Sequence, residues 1–159
     1  MNLTIEKATT KDIKMVLELS NVVADKHGHA RNDILKENPR HITIDKLNDY
    51  INDPNRFIVV AKQKNEVVGM ILCKIKVFSN DPKYKDAVCL FIEDTCVADS
   101  QRKKGIGSEM MRFVKCEAQK EGCSRMVCDV WEFNKESLAF MSSNGFRFQK
   151  HTMECFFDE

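Results

Sequence analysis

Between residues 88 and 122 the chain passes from an apolar run, through a basic loop with two glycines, into a helical repeat. Val88–Val97 is apolar at both alternating positions, the pattern of a strand covered on both faces. The segment Ala98-Asp-Ser-Gln-Arg-Lys-Lys-Gly-Ile-Gly107 follows. From Ser108 to about Glu121, residues Met110, Met111, Phe113, Val114 and Ala118 recur at helical spacing, and Gly122 stands where glycine ends a helix. Strand, glycine turn and helix start are thereby forced into succession. A helix start leaves its first N–H groups unpaired and carries about half a positive charge. Gly105 and Gly107 let backbone wrap closely around a ligand. Arg102-Lys103-Lys104, a run of three adjacent basic residues, adds attraction at the same place. The natural guest is a diphosphate. The segment is not a P-loop, since GxxxxGK[ST] is absent, and it lacks the third glycine of a dinucleotide fingerprint.

The rest of the chain reads as alternating elements. Leu3–Lys7 alternates as a strand. Thr9 and Asp12 have capping-box spacing before a helix with Ile13, Val16, Leu17, Ser20 and Val23 near one face. The stretch 24–41, with Gly28 and Pro39, breaks the period and predicts a loop or frayed helix. Thr43 can cap a short helix carrying Ile44, Leu47, Tyr50 and Ile51. Phe57–Lys62 and Val67–Phe78 read as a hairpin turning near Gln63–Glu66. Met126–Val130 reads as a strand and Asn134–Ser143 as a helix closed by Asn144-Gly145. Phe146–Lys150 and Thr152–Phe157 read as two final strands. The expectation is one α/β (α+β) domain with a mixed sheet and helices on its faces.

Composition narrows the function. With 159 residues the chain can form a core without staples. Lys+Arg 25 against Asp+Glu 24 leaves a formal charge of +1, so nothing marks it for nucleic acid or membrane surfaces. No apolar stretch approaches the ~20 residues of a spanning helix, and the N-terminus lacks an apolar signal core. Seven cysteines, an odd number without a CxxC pair, point to reduced thiols in a cytoplasm and to no metal site.

Val97–Met111, VADSQRKKGIGSEMM, resembles the acetyl-CoA-binding motif of the GNAT acetyltransferase superfamily, [Q/R]-x-x-G-x-[G/A], here Arg102-x-x-Gly105-x-Gly107. A second segment, Asn134-Lys-Glu-Ser-Leu-Ala-Phe-Met-Ser-Ser-Asn-Gly-Phe146, is similar to the family's N-x-x-A-x-x-F-Y-x-x-x-G-F. The order of elements fits from Leu3 to Phe157. The resemblance implies a mixed, mostly antiparallel sheet of six or seven strands with about four helices, two central strands splayed to admit acetyl-CoA. It implies backbone contacts from Cys96, Val97 and Ala98 to the pantetheine arm. A strand N–H near Cys96–Val97 would polarise the thioester carbonyl. N–H groups of Lys103, Lys104, Gly105, Ile106, Gly107 and Ser108 would cover the pyrophosphate, while Arg102 sets the loop or touches phosphate. Asn134, Ser137 and Phe140 would line the cofactor.

The acceptor implied is a primary amine of a small molecule or protein. With a pKa near ~10.4, only about one such amine in a thousand is nucleophilic at neutral pH, so a base is needed. Glu93 is the first candidate and Asp94 the second. Strand alternation predicts that they face opposite ways and do different jobs. The family's tyrosine, which protonates the departing sulfur, falls on Met141, which cannot donate a proton. A thiol with a pKa near ~8.5 leaves tolerably without that help, and Ser142, water, Tyr50 or Tyr84 could supply it. Nothing in the spacing supplies Cys96 or Cys128 with the adjacent base that a nucleophilic cysteine needs. Met141 also motivates an alternative: a CoA-binding regulatory or partner-binding domain with weak or lost catalysis. A nucleic-acid module using Arg102–Lys104 is disfavoured by the neutral charge and the absence of aromatics in the loop. Exposed strand edges leave a homodimer open.

Overall fold

The computed structural model describes residues 2–157. By packing, these fall into a first unit through Asp129 and a second from Val130. The first unit holds β1 (Leu3–Lys7), α1 (Ile13–Ala30), α2 (Ile44–Asn52), β2 (Arg56–Gln63), β3 (Glu66–Phe78), β4 (Ala87–Val97), α3 (Ile106–Lys120) and β5 (Arg125–Cys128). The second holds α4 (Lys135–Ser143). The sheet runs β1-β2-β3-β4-β5, antiparallel except for the parallel pair β4 and β5.

Local chemistry sets most of the boundaries. The Thr9 N–H donates to Asp12 Oδ2 at 2.8 Å, and the Thr9 hydroxyl donates to the same oxygen at 3.1 Å, opening the turn into α1. Thr43 Oγ1 accepts the Lys46 N–H at the start of α2. β2 and β3 turn on Lys64-Asn65, both in the left-handed region. Both α3 and α4 end on left-handed glycines. Gly122 N–H donates to Gln119 O and Cys123 N–H to Ala118 O; Gly145 and Phe146 repeat the pattern on Ser142 O and Met141 O. These paired bonds satisfy the last carbonyls of each helix.

The core of the first unit joins α1 and α2 to one face of the sheet. Val16, Leu47, Ile58, Val60, Met70 and Leu72 are fully buried there, with Tyr50 and Cys96 beside them. Two ion clusters tie elements together. Lys62 Nζ sits 2.8 Å from Asp12 Oδ1 and 2.7 Å from Glu6 Oε1. Burial alone would raise the Asp12 carboxyl, but Lys62 and the Thr9 donors outweigh it and hold its pKa below the ordinary value. Glu117 on α3 bridges Lys7 at 2.8 Å and Lys120 at 2.6 Å, which lowers its pKa and ties α3 to β1.

Three expectations are corrected. The stretch from Ala24 is not wholly a loop: α1 continues to Ala30. Gly28 is required by packing, because a Cβ there would lie 2.7 Å from Lys36 O and 2.8 Å from Pro39 Cδ of the returning loop. Among the described residues the sheet has five strands rather than six or seven. Phe146–Lys150 and Thr152–Phe157 form no strands, although Phe146, Phe148, Met153, Cys155 and Phe157 fall on period two. Alternation there satisfies one requirement of a strand, but a ladder also needs a partner edge. Gly28→Ala should destabilise the fold by about 1–3 kcal/mol, since the clash is with backbone and outweighs alanine's better helix propensity. A urea melt with a midpoint equal to wild type would contradict this packing.

Candidate active site

β4 and β5 pair only from Cys89↔Arg125 to Ile92↔Cys128. β5 ends at Cys128, while β4 continues from Glu93 to Val97 still paired with β3. The second half of β4 therefore presents an edge that β5 does not cover. The head of this edge leads through a short turn, Asp99–Gln101, to the start of α3. The β4–β5 ladder stops with β5 at Cys128, and β4 runs on five residues past it, from Glu93 to Val97.

The basic loop is organised by its own cations. Arg102 Nε donates to Val97 O at 3.2 Å, and its NH2 group lies 3.0 Å from Asp99 Oδ1. Arg102 thus sets the loop. Lys104 Nζ donates to Ser100 O and Gln101 Oε1 at 3.1 and 3.0 Å. Lys103 and Gly105 take left-handed φ values of 59° and 80°, which curl the backbone into the helix. Gly105 is the N-cap of α3 and offers no side chain to the first-turn N–H groups of Ile106, Gly107 and Ser108. A Cβ on Gly105 would meet nothing within 4 Å, so other atoms do not crowd the N-cap itself. An anion fits this set of donors. Of the strand residues expected to offer backbone groups, Ala98 already uses both: its N–H donates to Val68 O and its carbonyl accepts from Gln101. A strand residue's N–H and C=O share one edge, and the Val97 carbonyl takes Arg102 rather than β3. The Val97 N–H therefore lies on the uncovered edge.

Just before this point the β3–β4 register slips. Leu72 pairs with Asp94 and Cys73 with Ile92, leaving Glu93 as a bulge. The bulge overturns the expectation that Glu93 and Asp94 face opposite ways. Both reach the helices of the same sheet face: the Tyr50 hydroxyl of α2 donates to Glu93 Oε2, and the Ser20 hydroxyl of α1 donates to Asp94 Oδ2 at 2.8 Å. Glu93 remains exposed, and partial loss of water raises its pKa above the ordinary value. Asp94 is more enclosed. Desolvation pushes its pKa up to about 6, against the lowering effect of Ser20 and the Thr95 N–H. Sequence reasoning missed Ser20 as a polar partner because it occupies a core position of α1; a buried hydroxyl on an apolar helix face was the available signal.

Other candidates separate. Tyr84 is 46% exposed and packs against Phe78, and Ser142 is exposed on α4. In the second unit, Asn134 Oδ1 accepts the Ser137 N–H at 3.1 Å and so caps α4. Phe140 is half-buried and Met141 is buried. Burial raises the Cys96 and Cys128 thiols to about 11, which keeps them protonated at neutral pH and unsuited to nucleophilic attack.

Comparison with known proteins places these features. The family model described as "Acetyltransferase (GNAT) family" matches residues 20–146. The chain belongs to the GNAT acetyltransferase family. It is similar to an uncharacterized N-acetyltransferase in the pepI 3' region of Lactobacillus delbrueckii subsp. lactis, 27% identical over 151 residues, covering 92% of this chain and 86% of the relative. Among solved structures it resembles a mutant of the BH1408 protein from Bacillus halodurans, at 23% identity and a TM-score of 0.91, covering 97% of this chain and 99% of that one. It also resembles the aminoglycoside N-acetyltransferase AAC(6')-Iy in complex with CoA, at 16% identity and a TM-score of 0.76, covering 99% and 95%. As a GNAT protein the chain is an acetyltransferase by family. No helix among the described residues is long and apolar enough to cross a membrane.

Two outcomes follow from the site's electrostatics. An acid whose pKa is higher folded than unfolded makes the fold lose stability as pH rises from the unfolded value, near 3.8, to about 6. Asp94→Asn should remove that loss, gaining up to about 3 kcal/mol on wild type between pH 4 and pH 7. Chemical denaturation across that range checks it; parallel curves for the two proteins would contradict the enclosed carboxyl. In native protein, iodoacetamide at pH 7.5 should label the exposed Cys116 and Cys155 well before the buried Cys73, Cys89 and Cys96, as read by peptide mass spectrometry.

Proposed function

We propose that this protein is an acetyl-CoA-dependent N-acetyltransferase that acts as one domain on a primary amine of a small molecule or a protein. The observation that carries the reading is the end of the β4–β5 ladder at Ile92, with a bulged carboxylate beside it and uncapped helix amides past the end of β4. Acetyl-CoA supplies an activated thioester and a pyrophosphate handle. The amides of Ile106, Gly107 and Ser108, with Lys103 and Lys104 close by, suit the pyrophosphate. The Val97 N–H suits a carbonyl oxygen that gains negative charge. Asn134, Ser137 and Phe140 take the cofactor contacts that family resemblance gives them.

Glu93 is the proton acceptor. The amine must lose its ammonium proton to expose a lone pair, and Glu93 stands exposed on the strand that leads to the anion loop. The bond formed joins the amine nitrogen to the acetyl carbon, and the bond broken is carbon to sulfur. The ammonium proton goes to Glu93, the second proton that the nitrogen sheds on acylation goes to solvent, and the sulfur leaves as thiolate. Asp94, enclosed and bonded to Ser20, orients the strand against α1.

One residue favours a second reading. Met141 fills the position of the family's proton donor with a buried thioether, which suits a CoA-binding protein that regulates or pairs rather than turns over. A panel of amines separates the two. Acetyl-CoA should raise the melting temperature in either case. Release of CoA thiol with some amine supports transfer, whereas binding without release for every amine class supports the second reading. Glu93→Gln should lower kcat by 10²–10⁴-fold and remove the acid limb of its pH profile; an unaltered profile excludes Glu93 as base. Gly107→Trp should abolish the acetyl-CoA melting shift, and an unchanged affinity would count against the anion loop.

A further inference from the structure

We propose that Tyr50 is the positioning residue for Glu93: its buried hydroxyl, donating to Glu93 Oε2, aims the carboxylate at the amine and keeps it in the ionised form that accepts a proton. The inference rests on the reading of Glu93 as proton acceptor and adds a residue to that site. Tyr50 is 5% exposed and belongs to the core that joins α2 to the sheet, next to Leu47, Ile58 and Met70. Its ring is therefore fixed, and so is the point in space where its proton is offered. Arg56 stands over the ring, with its guanidinium carbon 5.3 Å from the ring centroid. Arg56 is in turn held 3.4 Å from Asp53 Oδ2, one residue beyond the end of α2. A cation over an aromatic face draws electron density from the ring and makes the phenol a better donor.

The chemical need is specific. Glu93 sits on a bulge, where backbone pairing does not hold its orientation. Its partly desolvated surroundings favour the neutral acid, which cannot take a proton. A donor to the charged form works against both problems at once. With Oε2 engaged by Tyr50, Oε1 is left to receive the ammonium proton. Tyr50 keeps its own proton throughout, since a carboxylic acid still accepts a hydrogen bond at its carbonyl oxygen.

The other groups around Glu93 do not supply this effect. Asp94, next on the strand, is turned to Ser20 and adds like charge when ionised. Leu72 and Cys73 on β3 and Cys128 on β5 flank the bulge, and both thiols are pushed up by burial and stay neutral. Arg56 and Asp53 act through the ring.

The test has one arm that needs no substrate. The Glu93 side-chain carboxyl is followed by ¹³C NMR against pH in the full protein, assigned by its disappearance in E93Q. In Tyr50→Phe the midpoint should rise by about one unit, because the donor to the charged form is gone. An identical midpoint in Y50F and wild type would overturn the proposal. If Y50F fails to fold, 3-fluorotyrosine at position 50 keeps the shape and strengthens the donor. It should lower the midpoint, and no shift would be equally damaging. The second arm uses an amine that wild type acetylates. Y50F should lower kcat at least tenfold at pH 7 with less than a threefold change in the amine KM, and move the acid limb upward by the same amount as the NMR midpoint. It should add nothing to E93Q; independent, multiplying losses would refute a role through Glu93. If no amine is acetylated by wild type, the reading of function fails while the NMR arm still decides the Tyr50–Glu93 coupling.

Discussion

A single register slip between β3 and β4 organises the candidate site. Strand alternation would send neighbouring residues to opposite faces. The bulge at Glu93 lets two consecutive carboxylates reach the same pair of helices, α2 through Tyr50 and α1 through Ser20. It also falls where β5 stops following β4. Bulges sharpen the local twist of a strand, and this slip coincides with the end of the β4–β5 ladder. Remove it, and Glu93 and Asp94 lose their shared surroundings.

The two carboxylates then diverge through solvent. Asp94 is enclosed, and its pKa of about 6 places part of its titration within a cell's pH range. Glu93 keeps its access to water and to an incoming cation. Environments that separate two neighbouring acids also separate their contacts: Asp94 joins α1 to β4, and Glu93 bonds Tyr50 of α2 while staying open to solvent. The loop beyond divides labour in a similar way. Arg102 and Lys104 spend their hydrogen bonds on Val97 O, Ser100 O and Gln101 Oε1, closing the turn that presents the α3 amides. Two of the three adjacent cations, Arg102 and Lys104, thus act first as structure.

Elements governed by neighbours in sequence were legible without coordinates. The Thr9–Asp12 start, the Thr43 cap, the Lys64-Asn65 hairpin and the glycine ends of α3 and α4 all depend on residues within a few positions of each other. The strand–loop–helix unit at 88–122 belongs to the same class. The region around Gly28 misled because the close approach of Lys36 O and Pro39 makes glycine necessary inside a helix, where it otherwise signals a break.

Family resemblance pointed to Glu93 and Asp94; by itself, the amino-acid order determined the mixed sheet with helices on its faces and the glycine turn between Val97 and Ser108. Periodicity and short-range hydrogen bonding carry that information along the chain. Tertiary structure alone decided that the two acids share a face, that Ser20 and Tyr50 are their partners, and that residues 146–157 form no strand. Each of those outcomes depends on what lies across a sheet or beneath a helix, at sequence separations of 43 and 74 residues for the Tyr50 and Ser20 bonds. Local pattern cannot encode a register slip, because the slip is a property of two strands together.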